Sequence, residues 1–382
     1  MKINNNIANI IIRGAGPTGA LCSLGLAKKG IQVLIVDPSP KEKIIDKSRA
    51  YAITHSSRRL FEKLDLWDRL IEYVFPFNEL EVIDSEMRNK INFTQNDLKD
   101  RNYKYKSLGW IIDHKDLMNI LFNKIEGCKN ISHNFGEKYN FSDLEYDMQI
   151  IAEGSLSPNR KKLGINVFNT NYKCGCITVK VYIRGIIPMK AYEIFREDGP
   201  LAILPMGHNI YQVVITAPLA KCKILLKLNE HMFLDRLAAI LPFGFNPDLM
   251  IDKPTLYPVG ITIATLLSKG NTILLGESAH KYHPVGGQGL NVCFRDIYFL
   301  LKEFDYSREK NRISRIFKNY SLNRYPDIII TALLTHSLLK IYSNRNLLLL
   351  LLRYPLLKIV SYSRTLRRLI FSVMTDGLNL KH

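Results

Sequence analysis

Two clusters of glycine, each with a carboxylate nearby, are the parts of this sequence best suited to chemistry. The first is Gly14, Gly16 and Gly19 in the run RGAGPTG, with Asp37 roughly 20 residues further on. The second lies between residues 270 and 296. There Gly276, Glu277 and Ser278 end an apolar run, and Pro284, Gly286, Gly287, Gln288 and Gly289 lead into a helical pattern. Glycine lets a ligand approach the backbone closely, and a helix start presents free N–H groups to an anion. A carboxylate beside such a turn accepts hydrogen bonds from hydroxyls. Each cluster therefore suits one part of a phosphorylated, sugar-bearing ligand, although the second taken alone reads equally as an ordinary glycine-rich loop.

The elements that must position these groups are local. Residues 7–12 and 31–36 are β-type apolar runs, separated by a helical pattern over 20–29 that Gly30 stops. Strand, glycine turn, helix, second strand and terminal acid together form the dinucleotide-binding fingerprint in its required context. Residues 272–275 form a short buried strand that delivers Glu277. Val292, Phe294, Ile297, Phe299 and Leu300 then recur at helical spacing after the glycines.

Taken in order, the two stretches resemble the FAD-dependent aromatic hydroxylases of the para-hydroxybenzoate hydroxylase superfamily, most closely the 2-polyprenylphenol hydroxylase branch of ubiquinone biosynthesis. Those proteins carry GD-x-AH-x(3)-P-x-x-GQG-x-N. Here the segment reads Gly276, Glu277, Ser278, Ala279, His280, then Pro284, Gly287, Gln288, Gly289, Leu290 and Asn291. The resemblance implies FAD held by Gly14, Gly16, Pro17, Thr18, Gly19 and Asp37 from the first motif. It adds Gly276, Glu277, Pro284, Gly287, Gln288, Gly289, Leu290 and Asn291 from the second.

Three further positions enter through the same likeness. Arg49, in DKSRAYAITHSS, sits where the family places an arginine beside the flavin; by composition it reads as a solvated surface residue. Glu153 and Gly154 stand where the family has D-G, so this chain has a glutamate at both family aspartates. Each change adds one methylene, roughly 1.5 Å of reach. His114 and Lys115 replace a family arginine that touches flavin phosphates, and lysine supplies charge without the planar fork. His280 and His283 are candidates to steer a phenolic proton and also read as structural loop residues.

The resemblance also implies a hydroxylation that uses O2 and a transiently bound NADH or NADPH, which fits a single dinucleotide fingerprint. FAD would carry the redox chemistry, and the protein would supply orientation and a dry pocket. The substrate it implies is a small prenylated aromatic. Two alternatives share the scaffold: an isoprenoid double-bond reductase, and a flavin-binding scaffold without catalysis in a quinone-synthesis assembly. The W-x-W-x-I-P signature of tryptophan-type halogenases is absent, Trp67 and Trp110 being the two tryptophans.

The expected fold class is α/β (α+β), with a Rossmann-like FAD-binding domain, a second β-sheet substrate domain and C-terminal helices. The FAD-binding domain is expected over 1–75, 107–160 and 263–325, and the β-rich domain over 76–106 and 161–262. GPLAILP, residues 199–205, is expected to border the substrate pocket or to be plain sheet. Residues 60–71 predict a helix capped by Ser56 or Ser57, and residues 225–241 predict another.

With 382 residues, 47% of them hydrophobic, the chain is long enough for a large core. Its six scattered cysteines show no metal spacing, so no metal site is expected. The start MKINNNIANI has neither a secretory nor a transit pattern, which predicts a cytoplasmic protein. A formal charge of +18, from 53 Lys and Arg against 35 Asp and Glu, attracts polyanions. No nucleic-acid module accompanies it. An anionic membrane surface is the better partner, approached through residues 326–382, where Leu347 begins six consecutive leucines amid Lys340, Arg345, Arg353, Lys358, Arg364, Arg367 and Arg368. These leucines also read as packing residues. No apolar run reaches the ~20 residues of a membrane span, and the sequence sets no oligomeric state.

Overall fold

A computed structural model describes residues 9–98, 106–137, 145–306, 312–342 and 347–377. Strand Asn9–Arg13 lies inside a six-stranded sheet, flanked in parallel by Gln32–Asp37 and Met148–Ile151. Thr272–Leu274 and Ile131–Phe135 extend this parallel set, and Ser268–Lys269 closes one edge antiparallel. Ile10, Ile11 and Ile12 are all buried, as a strand covered on both faces requires. Helices Pro17–Lys28, His114–Glu126 and Gln288–Tyr306 contribute to its core through Leu21, Leu121 and Phe294.

The second layer is a nine-stranded sheet built around Val167–Arg184, which pairs antiparallel with Ile210–Pro218, Asn246–Met250 and Thr255–Ala264. Leu201–Pro205 and Lys190–Phe195 continue it, followed by the hairpin Glu79–Asp84 and Asn89–Thr94. One face packs on helices Leu219–Leu225 and Glu230–Ala238 through Ile177, Val213, Ile194 and Phe233. The helix expected over 225–241 is confined to Glu230–Ala238, and a separate helix ends at Leu225. Asn229 separates them by accepting a hydrogen bond from the Met232 N–H at 2.9 Å, a cap that starts the second helix.

A third sheet of three strands, Ala50–Ile53, Gly109–Asp113 and Val74–Phe77, lies beside the cofactor half. The helix expected with a Ser56 or Ser57 cap starts earlier, at His55 with Thr54 as its cap residue, and stops at Lys63 before a short turn Trp67–Leu70. Both serines lie inside it, and Ser57 instead donates to Asn291 Oδ1 at 2.6 Å.

The C-terminal part forms helices Arg312–Tyr342, Leu347–Tyr362 and Arg364–Asp376. The backbone of 347–352 is helical, but how its leucines pack lies outside the described side chains, as do Arg345 and residues 1–8. Several basic residues expected to meet an anionic membrane surface are committed to the protein. Arg353 is buried 3.7 Å from Asp84, Arg367 donates to Asp97 at 2.9 Å, and Arg364 and Arg368 donate to the Asn96 carbonyl. Among the described residues, no helix is long and apolar enough to cross a membrane.

Candidate active site

The first glycine turn is closed on one side and open on the other. A Cβ on Gly14 would lie 2.3 Å from the Ala152 carbonyl oxygen, and one on Gly19 would lie 1.9 Å from that of Gly14. Gly16 differs: no described atom lies within 4 Å of its Cβ position, and it stands at the start of helix Pro17–Lys28. Asp37 braces the turn. Its Oδ2 accepts from the Ala15 N–H and its Oδ1 from the Ser39 N–H, both at 2.9 Å.

The second turn comes down directly on the first. Gly276, at φ +61°, has its Cβ position 2.8 Å from Thr18 Cγ2, and its N–H donates to Asp296 Oδ2 at 3.0 Å. Gly286 and Gly287 are left-handed too, and a Cβ on Gly287 would press Ala52 at 3.2 Å. Gly289 and Gly154 resemble Gly16, with no described atom within 4 Å. Pro284 precedes the short turn Val285–Gly287, and Leu290 packs at the edge of the core. The Asn291 side chain is a clamp. It accepts from the Thr54 N–H and Ser57 Oγ and donates to the carbonyls of Ala52 and Gly287. Gln288 donates to the Gly286 carbonyl at 3.0 Å, while its buried Oε1 meets no donor among the described residues.

Charges gather where the turns meet. The Arg49 guanidinium stacks 3.7 Å from the Tyr257 ring centre, and the fields of Tyr51, Tyr257 and Glu277 reach it. Lys47, which sequence reading passed over, is pulled down by burial and Arg49 and held up by both Asp37 and Glu277. The acids of the two motifs thus act on one lysine. Burial pushes the Tyr51 phenol up to about 12. Its hydroxyl meets His114 Nδ1 at 2.9 Å, while His114 Nε2 bonds the Ile44 carbonyl at 2.8 Å. His114, pushed down to about 4 chiefly by burial, is therefore a strut for the segment bearing Lys47 and Arg49. Lys115 is exposed and pairs with Asp46 at 2.7 Å.

Three candidates are placed differently from a ligand contact. Glu153 turns back into its own loop: Oε2 accepts from Ser157 Oγ at 2.7 Å, and Oε1 accepts from the Asn159 amide. The extra methylene lets the carboxylate reach the start of helix Pro158–Lys162. His280 is buried behind the turn, 2.6 Å from Asp296 Oδ2, and Asp296 Oδ1 accepts from Arg324 Nε at 2.7 Å. Burial alone would raise Asp296, but His280 and Arg324 hold it down at about 2. His283 is pushed down to about 3 by burial, and its Nδ1 accepts the Val285 N–H. Burial thus makes His283 a poor acceptor for a phenolic proton.

The cleft fits an extended dinucleotide. The Cβ directions of Gly16, Gly154 and Gly289 open into space a side chain would fill, and Arg49 and Lys47 suit a pyrophosphate. Among the described residues, no group of His, Cys, Asp and Glu is arranged to hold a metal.

The profile of the FAD binding domain family matches residues 8–109 and 135–328. Among curated relatives, an uncharacterized Synechocystis protein, slr1300, is 26% identical over 313 residues, 77% of this chain and 74% of its own length. The mitochondrial ubiquinone biosynthesis monooxygenase COQ6 of Dictyostelium discoideum is 21% identical over 99% of this chain and 93% of its own. In fold, the p-nitrophenol 4-monooxygenase PnpA from Pseudomonas putida superposes with a TM-score of 0.77 at 14% identity, covering 96% of each chain. With its α/β architecture and two opposed glycine turns, the chain belongs to the FAD binding domain family and, with it, to the FAD-dependent monooxygenases.

Proposed function

We propose that this protein hydroxylates a prenylated phenol or quinone precursor, using O2 and an NADH or NADPH that visits without a domain of its own. The observation that carries the reading is the meeting of the two glycine turns at Thr18 and Gly276, with Gly16, Gly154 and Gly289 facing open space around them. In this reading Gly14 to Gly19 receive the FAD pyrophosphate, Asp37 the ribose hydroxyls, and Glu277 and the Gln288 to Leu290 turn the ribityl chain and ring. Lys47 and Arg49 offset the phosphate charge. Residues 1–75, 107–160 and 263–325 form the cofactor domain, and 76–106 with 161–262 the substrate domain. Bound FAD supplies electron transfer and oxygen activation; the protein orients the substrate and excludes water.

The substrate class is supported by the similarity to the Dictyostelium protein named for ubiquinone biosynthesis. A prenylated phenol partitions into lipid, and a chain of formal charge +18 is drawn to an anionic membrane surface. The test is NAD(P)H oxidation by the FAD-loaded protein with and without a short-tailed 2-prenylphenol. The expected result is stimulated oxidation and a product one oxygen atom heavier. Saturation of an alkene with the ring untouched would instead identify a reductase.

A further inference from the structure

Strand Lys190–Phe195 is buried along its whole length, and its side chains divide by alternation. Tyr192 and Ile194 enter the core beneath the helices. Ala191 and Phe195 face the other way, into the clusters shared with the glycine turn and the C-terminal helices. Glu193 lies between Ala191 and Phe195, so a carboxylate projects from the cofactor side of the sheet.

Glu193 is 8% exposed, and the nearby Gly286 N–H favours its charged form. The same glycine's carbonyl accepts from Gln288, whose Oε1, in a residue 6% exposed, has no donor among the described residues. Two buried acceptors thus lie at one residue, Gly286, of the turn over which the flavin ring is proposed to lie. A buried acceptor without a donor carries a desolvation penalty unless a ligand supplies one. A hydroxyl beside the ring has one proton to supply, and of the two acceptors the carboxylate is the stronger base.

We propose that Glu193 accepts the proton of the substrate's aromatic hydroxyl. This assignment rests on the phenol reading of the site. The hydroxyl O–H bond breaks as an O–H bond to the Glu193 carboxylate forms, and the electron pair stays on the phenolate oxygen. The proton returns to the product's hydroxyl at the end of the cycle. A phenolate ring is more electron-rich than a phenol ring and so a better acceptor of an electrophilic oxygen.

The surroundings agree. Burial raises Glu193 to about 7, opposed only in part by the Gly286 N–H, which places the base near working pH. The titratable groups around it are neutral there. Cys176, on strand Val167–Arg184 of the same sheet, is raised to about 12 mainly by burial; His283, from the turn, is lowered to about 3; and Tyr342, stacked on Phe195, is raised by burial. The charges of Arg353 and Asp84 offset each other at 3.7 Å.

The experiment uses FAD-loaded protein and a short-tailed 2-prenylphenol. The wild-type kcat should rise with pH through an apparent midpoint near 7, as the Glu193 carboxylate forms. In Glu193→Gln, which keeps an acceptor for the Gly286 N–H, that limb should be lost and kcat should fall on the order of 100-fold, with flavin content unchanged. Hydroxylation by the wild type with no rise in kcat through that pH range would overturn the role of Glu193. So would a Gln variant with the wild-type pH profile. Failure of the wild type to bind or hydroxylate any such phenol would overturn the substrate reading itself, and Glu193's role with it.

Discussion

Thr18 and Gly276 touch: the Cβ that Gly276 lacks would sit 2.8 Å from Thr18 Cγ2. This contact seats one glycine turn on the other, although the residues lie in opposite halves of the chain. At φ +61° an alanine at 276 is both strained and overpacked. Gly276→Ala should therefore cost about 2–4 kcal/mol in urea unfolding and reduce flavin retention. A fully stable Gly276→Ala protein would mean that the contact is slack.

Asp296 connects that turn to the C-terminal helices, because it accepts from both the Gly276 N–H and Arg324. Arg324→Leu leaves a buried carboxylate without its arginine partner and should destabilise by about 3–5 kcal/mol. The pH dependence has a definite sign. Asp296 is held at about 2 against an ordinary 3.8, so its stabilisation is complete above about 3.8 and is lost as pH falls toward 2. Asp296→Asn should flatten the acid limb of stability in that window, as thermal melts between pH 2 and 5 would show.

Glu193 has the opposite sign. Its carboxyl is raised from 4.5 to about 7, so the folded state binds a proton more tightly than the unfolded chain. Wild-type stability should fall as pH rises through that interval, by on the order of 3 kcal/mol. Glu193→Gln carries no such charge. Its melting temperature should exceed that of the wild type at pH 8 and match it at pH 4, and a constant difference at both would refute the buried carboxyl.

Glu277 accepts no side-chain bond from Lys47 or Arg49 yet lies within the field of both. Glu277→Gln should weaken FAD binding about tenfold, the worth of one charged hydrogen bond, as followed by flavin fluorescence during titration of the apoprotein. Unchanged affinity would remove this carboxylate from the cofactor's contacts.

What could be read from sequence was what is local. The run from Arg13 to Gly19 states its own turn, because glycines, helix start and flanking strands are neighbours in the chain. His280 could not be placed that way: its surroundings depend on Asp296 and on Arg324, which arrives from another helix. Lys47 was hidden for the same reason, since the acids that act on it come from two distant strand ends. Glu193 left a signal that went unused, a lone acid inside the fully buried strand Lys190–Phe195. The break before Glu230 was legible in Asn229, a good cap residue, but leucines on both sides concealed it.

The central claim is that the two turns hold one FAD between them, and it is tested most directly by flavin stoichiometry in Gly16→Val and Gly289→Val. Both positions face open space, with no described atom within 4 Å, so each apoprotein should fold and melt like the wild type. The account predicts that each purified variant is colourless while the wild type carries one FAD per chain. A folded variant of either kind that keeps stoichiometric FAD would contradict it.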